Sequence, residues 1–415
     1  MMKKVKGTYD VLPTESYKWG ILEEKFKQNF RNYNILEIRT PILEYYETIH
    51  RNGDSSTMVS KETYDFFDKS NRQITLRPEG TAGVCRAIVE NKLYADNTLL
   101  KLFYLGPNFR YERPQKGRYR QFMHVGVEYI SSKNTPLLVG EVILCAHDLI
   151  KSLGLKNIII KINTLGNEQT RKAYQESLIQ YFSKYEEELC SDCKERLKKN
   201  PLRILDCKND CRNFFNHIPL IPDFLEKNEQ QFFEEIIDIL KINNISYEVD
   251  HHLVRGLDYY DQVVFEIVAD LKDNGSANVL GGGGCYNNLI KSLGGPDLQG
   301  CGFAYGIERL LIATEALNNE IFKAEVVDYL IITLDNKYQN YSLELAAKLR
   351  NKNYSVVYDL LNRSNKAKLK DIEKLNLRKL IFIGEEEFNT KTITIKDVQT
   401  KVQTTTTLTN FLEEI

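Results

Sequence analysis

Two apolar runs, Leu102-Phe103-Tyr104-Leu105 and Val125-Gly126-Val127-Glu128-Tyr129, flank a very polar stretch of this chain. Short apolar runs separated in this way read as two antiparallel strands with a long connection. That pairing commits the chain to a sheet, and the alternation of apolar runs with turn residues from Ile74 to Tyr129 extends it. The connection concentrates positive charge, because Phe109 to Phe122 contains Arg110, Arg113, Lys116, Arg118 and Arg120. Arginine forks bind phosphate oxygens bidentately, and an interleaved tyrosine can stack on a base. A solvated charged hairpin is the plainer reading of an isolated basic loop, so the remaining segments decide between the two.

The rest of the chain divides by pattern. Trp19, Leu22, Phe26 and Phe30 recur at helical spacing, with Thr14 as a possible cap, and Asn34 ends the run. Ile35 to Pro41 alternates like a strand closed by proline. Thr135–Leu153 reads as a helix with Leu138, Val142, Cys145 and Leu149 on one face, and Asn157–Leu165 as a strand. From about Asn167 to Asp250 the composition shifts to Lys, Glu, Asn and Gln, with Phe232, Phe233, Ile236, Ile237 and Leu240 at helical spacing. This predicts a helical insertion. Strand and glycine signals resume over Leu253–Gly306, followed by a helix over Ile307–Leu317. Strands Asp328–Leu334, Ser355–Tyr358 and Lys379–Ile383 then alternate with helices Tyr338–Lys352 and Lys366–Asn376, the pattern of a small α/β domain. The predicted division is a core over 1–166 and 251–325, an insertion over 167–250 and a last domain over 326–415. Low complexity is confined to Thr404–Thr407.

Lysine and arginine number 56 against 57 acidic residues, a formal net charge of -1. A wholesale basic protein is thereby excluded, and any nucleic-acid contact must use local patches. The first residues lack the apolar region of a secretory signal, and runs such as Ile158-Ile159-Ile160 are too short to span a bilayer. A cytosolic, non-membrane protein is expected. In a reducing compartment its 8 cysteines do not read as a disulfide framework.

Four further segments carry chemistry. Arg77-Pro78-Glu79-Gly80-Thr81 sets a carboxylate and a hydroxyl on a turn before the helical stretch Ala82–Glu90, where Thr81 is most simply a cap. Leu253-Val254-Arg255-Gly256-Leu257-Asp258-Tyr259-Tyr260 places a cation, a carboxylate and two phenols in one short turn before the strand Val263–Val268. Gly281-Gly282-Gly283-Gly284, followed by Tyr286, permits close backbone approach to a ligand or is simply a flexible loop. No Gly-Lys-Ser/Thr follows, so it is not a P-loop. Gly302 to Arg309 reads as a strand-to-helix turn, with Arg309 at the helix start, the wrong end for the macrodipole, where a cation makes sense opposite a phosphate.

In motif order, spacing and near-literal wording the chain resembles the histidyl-tRNA synthetase family, class II aminoacyl-tRNA synthetases, over essentially its whole length. Pro41 matches the family's dimer-interface motif, Phe109–Glu128 the second class II motif, Gly302–Arg309 the third, and Leu253–Tyr260 the histidine-specific signature. The resemblance implies an α+β catalytic core, a mostly antiparallel sheet flanked by helices with a helical insertion, and a C-terminal α/β anticodon-binding domain. It also implies a homodimer that joins L-histidine to tRNA(His) at the expense of ATP, through a histidyl-adenylate, with Mg²⁺ expected from the ATP chemistry. Carried over residue by residue, Arg110 would hold the α-phosphate, Arg309 the γ-phosphate, and Arg255 would sit near the substrate carboxylate and α-phosphate. Glu79 and Thr81 would bind the α-amino group of histidine. Glu128, Tyr259 and Tyr260 would line the imidazole pocket, which Tyr286 would help to close. Glu112 and the loop residues Gln115, Lys116, Arg118 and Arg120 would face ATP and the tRNA acceptor end. Arg363, Lys366, Lys368, Lys370 and Lys374 would meet the anticodon-arm backbone, or form a solvated helix face.

The sequence departs from the family pattern in places. His124 stands where glutamine is usual; it can still hydrogen-bond the substrate's amino group, with a charge expected to vary near neutral pH. Cys285-Tyr286-Asn287 replaces an Arg-Tyr-Asp triplet, which removes a charge pair, and Cys285 reads as a buried small residue rather than a nucleophile. Cys190, Cys193, Cys207 and Cys211 have the form C-x2-C-x13-C-x3-C, which suits either a structural Zn²⁺ or four incidental thiols. Two non-catalytic relatives of the fold are rivals: the regulatory subunit of ATP phosphoribosyltransferase, and a tRNA-sensing or accessory protein. The first typically lacks the C-terminal domain and the intact Arg255–Tyr260 signature; the second tends to lose the ATP-handling arginines. This chain has all of these.

Overall fold

A computed structural model describes residues 2–51, 56–207, 214, 217–269, 278–370, 372 and 375–415. Cys211 and Lys374 lie outside the described residues. The chain forms two units, Met1–Ile321 and Phe322–Ile415. In chain order the strands of the first are β1 (Leu36–Glu37), β2 (Leu43–Tyr45), β3 (Tyr64–Phe67), β4 (Gln73–Leu76), β5 (Leu99–Phe109), β6 (Gln121–Ser131), β7 (Ile158–Gly166), β8 (Tyr247–Val249), β9 (Asp261–Ala269), β10 (Val279–Tyr286) and β11 (Gln299–Gly306). Eight of them make one sheet in the order β1-β5-β6-β11-β10-β9-β7-β8, and β2-β4-β3 make a smaller one. β1 on β5 and β8 on β7 run parallel; the other neighbours in the large sheet are antiparallel.

β5 and β6 pair along their full length, Leu99 opposite Ser131 and Phe109 opposite Gln121, so the basic connection projects beyond the sheet. Side chains alternate across a strand. On β6, Tyr129 donates from its hydroxyl to Glu141 of the helix Pro136–Ser152 at 3.0 Å. On β11 the Tyr305 hydroxyl donates to the Ala146 carbonyl at 2.9 Å. Val125, Val127, Tyr129 and Tyr305 therefore face the helices, and His124, Gly126, Glu128 and Gly302 take the opposite face. Beneath the helical side, Leu22, Phe26 and Phe30 of the helix Pro13–Asn32 are fully buried, as are Val142, Cys145 and Leu149. Each such side chain contributes roughly 1.5–3 kcal/mol by leaving water.

Several expected boundaries move. Pro13 occupies the first turn of its helix, so Thr14 lies inside it rather than capping it. The strand expected over Ile35–Pro41 keeps two residues: Ile38 N still donates to Phe103 O at 2.8 Å, but the chain then leaves the sheet towards Pro41, which has no N–H to pair. The glycine run is not a loop but lies within β10, between β9 and β11. A Cβ on Gly283 would stand 1.9 Å from the Gly302 carbonyl oxygen, so only glycine lets these backbones approach.

The stretch of altered composition is structurally two things. Tyr174, Leu178, Phe182, Leu197, Ile204 and Ile221 belong to an apolar cluster of its own. The helix Lys227–Ile242 instead packs on the core, where a Cβ on Gly140 would meet Ile239 at 2.8 Å, and β8 is the outer strand of the large sheet. Sequence composition could not separate these, because a helix covering a sheet and a helix in an insertion show the same amphipathic spacing.

The second unit is a five-stranded sheet in the order β13-β12-β14-β15-β16, formed by β12 (Val327–Thr333), β13 (Val356–Tyr358), β14 (Leu377–Ile383), β15 (Thr392–Asp397) and β16 (Gln403–Thr407). β12 runs parallel to β13 and β14, with β15 and β16 added antiparallel. The threonine run is strand β16, with Thr405 and Thr394 hydroxyls 3.0 Å apart. The helix expected over Lys366–Asn376 shrinks to Asn365–Leu369. Lys368 is not part of a solvated basic face: it is buried and its ammonium donates to the Thr333 carbonyl at 2.8 Å. Arg363 is paired with Asp359, and among the described residues of that stretch Lys366 and Lys370 are exposed.

Candidate active site

The sheet face turned away from the helices carries a cavity of about 460 Å³. Glycines open it. A Cβ on Gly126 would lie 2.4 Å from the Tyr104 hydroxyl, and one on Gly302 would lie 2.1 Å from Glu128 Oε2. Glu128, opposite Gly302 in register, is 1 % exposed at the cavity floor. The Thr81 hydroxyl donates to its Oε1 at 2.6 Å and the Tyr286 hydroxyl to its Oε2 at 2.5 Å. Burial pushes the Glu128 carboxyl up to about 8 against the opposing effect of these two donors, with Glu79 adding to the rise. Glu79, also buried, accepts from the Tyr259 hydroxyl at 2.8 Å and from Ala82 N at 3.1 Å. Its carboxylate, not Thr81, therefore caps the helix Thr81–Glu90, which frees the threonine hydroxyl for Glu128. Tyr260 packs on Tyr259 at 4.8 Å between ring centroids and lines the same cavity.

The other end is cationic. Arg110, Arg255 and Arg309, all half-buried, reach it from three separate segments. Arg110 donates to the Pro78 carbonyl at 2.9 Å and lies over Phe122 at 5.3 Å. Arg309 donates to the Val279 carbonyl at 2.7 Å, and burial, reinforced by the charge of Arg118, pulls its guanidinium down to about 10. Arg255 pairs with Glu266 at 2.6 Å. Three guanidinium groups held over one cavity by carbonyls and a carboxylate form a preorganised anion site. Glu112 and Arg118 line it and stand 3.7 Å apart.

His124 projects into the same cavity, edge-on to Phe122 at 4.8 Å. Its pKa is well below the ordinary imidazole value, because of burial first and then of Arg110, Arg309, Arg77 and Arg255 around it. The expectation that its charge varies near neutrality is thus corrected: the ring stays neutral there. Accordingly, His124→Gln is expected to leave the pH profile of activity between 6 and 8 unchanged, read by steady-state kinetics.

The rest of the basic connection divides. Gln115 and Lys116 are exposed at a tight turn in which Gln115 N and Arg118 O bond at 3.1 Å. Arg120 stacks on Tyr111 at 3.9 Å, so that tyrosine is engaged by its neighbour rather than held open for a base. Tyr104, Glu266 and Glu308 were not singled out by sequence. Glu266 was legible as the lone charge in an apolar strand, and Glu308 as the acid beside Arg309. Glu308 is 5 % exposed and accepts from Met123 N at 2.9 Å and the Tyr9 hydroxyl at 2.7 Å, which pins the strand-to-helix turn. Tyr104 gave no signal beyond an apolar run. Cys285 is fully buried opposite Cys301, and Asn287 accepts from the Asn134 amide at 2.9 Å and donates from its backbone N–H to Asp261 at 3.0 Å.

In the first unit the Cys190, Cys193 and Cys207 sulfurs lie within 4.8 Å of one another, Cys190 and Cys207 at 3.9 Å. Tetrahedral zinc with bonds of about 2.3 Å separates its sulfurs by about 3.8 Å, so these three thiols fit the ion. Among the described residues no other group of three such ligands converges.

A long two-stranded hairpin and a strand-to-helix turn, each aiming an arginine into a cavity on an antiparallel sheet, are the parts of a class II aminoacyl-tRNA synthetase core. The family model described as histidyl-tRNA synthetase matches residues 7–168 and 214–310, and one described as an anticodon binding domain matches 328–415. This chain belongs to the histidyl-tRNA synthetase family. It is 46% identical to a histidine–tRNA ligase of Acholeplasma laidlawii over 99% of this chain and 98% of that protein. The structure of apo S. aureus histidyl-tRNA synthetase matches with a TM-score of 0.84 at 36% identity, covering 100% of this chain and 99% of that one. A Bacillus halodurans structure described as an ATP phosphoribosyltransferase regulatory subunit/histidyl-tRNA synthetase shares the fold, with a TM-score of 0.66 at 22% identity over 92% of this chain and 98% of that one.

Proposed function

We propose that the protein attaches L-histidine to tRNA(His) with ATP. The observation that carries this reading is one cavity with a buried carboxyl–phenol–hydroxyl group at one end and Arg110, Arg255 and Arg309 at the other. A histidine carboxylate oxygen attacks the α-phosphorus of ATP, the bond to the bridging oxygen breaks and pyrophosphate leaves. A terminal ribose hydroxyl of the tRNA then attacks the acyl carbon and AMP leaves. Arg110 and Arg255 stabilise the charge that builds at the α-phosphorus, and Arg309 holds the γ-phosphate. Glu79 and Thr81 take the α-amino group, with His124 beside it. Glu128, Tyr259, Tyr260 and Tyr286 take the imidazole. Glu112 faces ATP, and Gln115, Lys116, Arg118 and Arg120 meet the acceptor end. Mg²⁺ arrives with the ATP phosphates. Labelled histidine should become acid-precipitable on a tRNA pool while the other nineteen amino acids do not; absence of charging by folded protein would sink the reading. The regulatory-subunit alternative finds less support, because the C-terminal unit, the signature loop and all three arginines are present.

The domain reading that accompanies this is a core interrupted by an insertion whose separate apolar cluster begins near Tyr174 and ends near Ile221, with the last unit serving the anticodon arm. Homodimerisation is supported by the apolar exposure around Pro41: Leu36, Leu43, Tyr45 and Phe67, on edge strands, are each more than half exposed. No helix of the described residues is long and apolar enough to cross a membrane, which is compatible with a cytoplasmic site of action.

A structural zinc would be held by Cys190, Cys193 and Cys207, with Cys211 the fourth thiolate, and would cross-link the insertion. Protein purified under reductant is expected to contain close to one zinc per chain, and Cys193→Ala to lose it with a lower melting temperature. Metal analysis that finds no stoichiometric zinc removes the site.

A further inference from the structure

The loop 253–260 that carries Arg255 is irregular backbone; the Asn163 amide of β7 donates to the Leu253 carbonyl at 3.0 Å, and the bonds to the residues that follow come from the insertion side. Arg203, on the insertion turn Pro201–Ile204, is 9 % exposed and directs its guanidinium at two successive carbonyls of that loop, Arg255 O at 2.5 Å and Gly256 O at 3.1 Å. Two neighbours repeat the pattern. Asn200 donates to Asp258 Oδ1 at 3.1 Å, and Arg171 donates to the Tyr260 carbonyl at 2.8 Å. The turn that presents Arg203 is itself fixed, since Leu202, Ile204, Leu205 and Cys207 are buried in the insertion's apolar cluster.

We propose that Arg203 is a positioning residue for amino-acid activation: its two bonds to the Arg255 and Gly256 carbonyls lock the peptide planes that aim the Arg255 side chain into the cavity. The inference rests on the role of Arg255 given above. Arg203 does not line the cavity that holds Glu128; it borders the adjoining cleft shared with Arg110, Arg255 and Arg309, and its guanidinium is engaged by the two loop carbonyls, so it acts through its neighbour. The Arg255 side chain has little else to orient it. One bond, to Glu266, holds Nη1, while its Nε is buried without a hydrogen-bond partner. A guanidinium with two parallel donors fits two consecutive carbonyls, and an ammonium supplies a point charge without the fork. Through these contacts the insertion, distant in sequence, completes a site built on the sheet.

The test is a double-mutant cycle in the full-length protein, read as histidine-dependent ATP–pyrophosphate exchange. Misplacing a catalytic group by about 1 Å costs on the order of 10²-fold. Arg203→Ala is therefore expected to lower kcat about a hundredfold, with the KM for ATP changed less than threefold and Arg203→Lys recovering part of the loss. Because Arg203 works through Arg255, the Arg203→Ala/Arg255→Ala pair should be no slower than Arg255→Ala alone. Should Arg203→Ala not fold, Arg203→Lys and Arg203→Gln carry the same cycle. Unchanged kcat in the Arg203 variants, or a further hundredfold loss in the pair, overturns the inference while leaving Arg255 in place. Full activity of Arg255→Ala removes the assignment of Arg255 and the inference with it.

Discussion

Arg255→Ala is expected to lower histidine-dependent pyrophosphate exchange by about 10²–10³-fold, most of it in kcat. That corresponds to roughly 3–4 kcal/mol of transition-state stabilisation. The guanidinium stands over the cavity held by Glu266 at 2.6 Å, so it meets the developing phosphoryl charge without reorganising. Removing it also leaves the Glu266 carboxylate unpaired at the mouth of an anion site, where it would repel ATP. Arg255→Lys should remain well below wild type, because a single ammonium cannot both keep the Glu266 bond and present the planar fork of donors to a phosphate. Exchange rates measured at saturating histidine and ATP separate this loss from weaker binding. A rate within threefold of wild type would strip Arg255 of its role.

Histidine binding is expected to release close to one proton near pH 7, and Glu128→Gln to abolish that release. Burial holds the Glu128 carboxyl at about 8, so it is largely protonated at neutral pH. An imidazole N–H placed against it favours the carboxylate, and the proton leaves. Calorimetric titration in two buffers of different ionisation enthalpy counts it; a count near zero in the wild type would contradict the assignment of Glu128 to the imidazole. The same shift has a consequence for folding. A carboxyl whose folded pKa lies above its unfolded value contributes stability that is full below about 4.5 and is lost as pH rises through about 8. Between pH 5 and pH 8.5 the melting temperature of Glu128→Gln should therefore gain on that of the wild type. Discrimination should suffer too, since a site built to hydrogen-bond a ring nitrogen rejects side chains lacking one by leaving its own groups unpaired.

Much of this arrangement is written locally. The two strands around the basic connection are legible because their apolar runs and the polar stretch between them permit little else, and the helix Pro136–Ser152 is legible from its apolar stripe and from Thr135, whose side chain does cap it. The glycine run was ambiguous for a physical reason: four residues without side chains carry no periodicity, and only their neighbours in space, β9 and β11, make them a strand. His124 shows the same limit in electrostatics. A histidine in sequence suggests a titrating group, whereas the neutral ring here is set by burial and four arginines drawn from Arg77 to Arg309. Arg203 left no mark in the sequence at all, since an arginine between apolar residues reads as surface until the carbonyls it serves are seen beside it.

The most direct measurement of the central claim is amino-acid-dependent ATP–pyrophosphate exchange run with each of the twenty amino acids. Exchange with histidine alone, at a rate that collapses in Arg255→Ala, is the predicted result. Exchange with none of them, from protein that melts cooperatively and still binds ATP or tRNA, would contradict it and return the fold to a binding role.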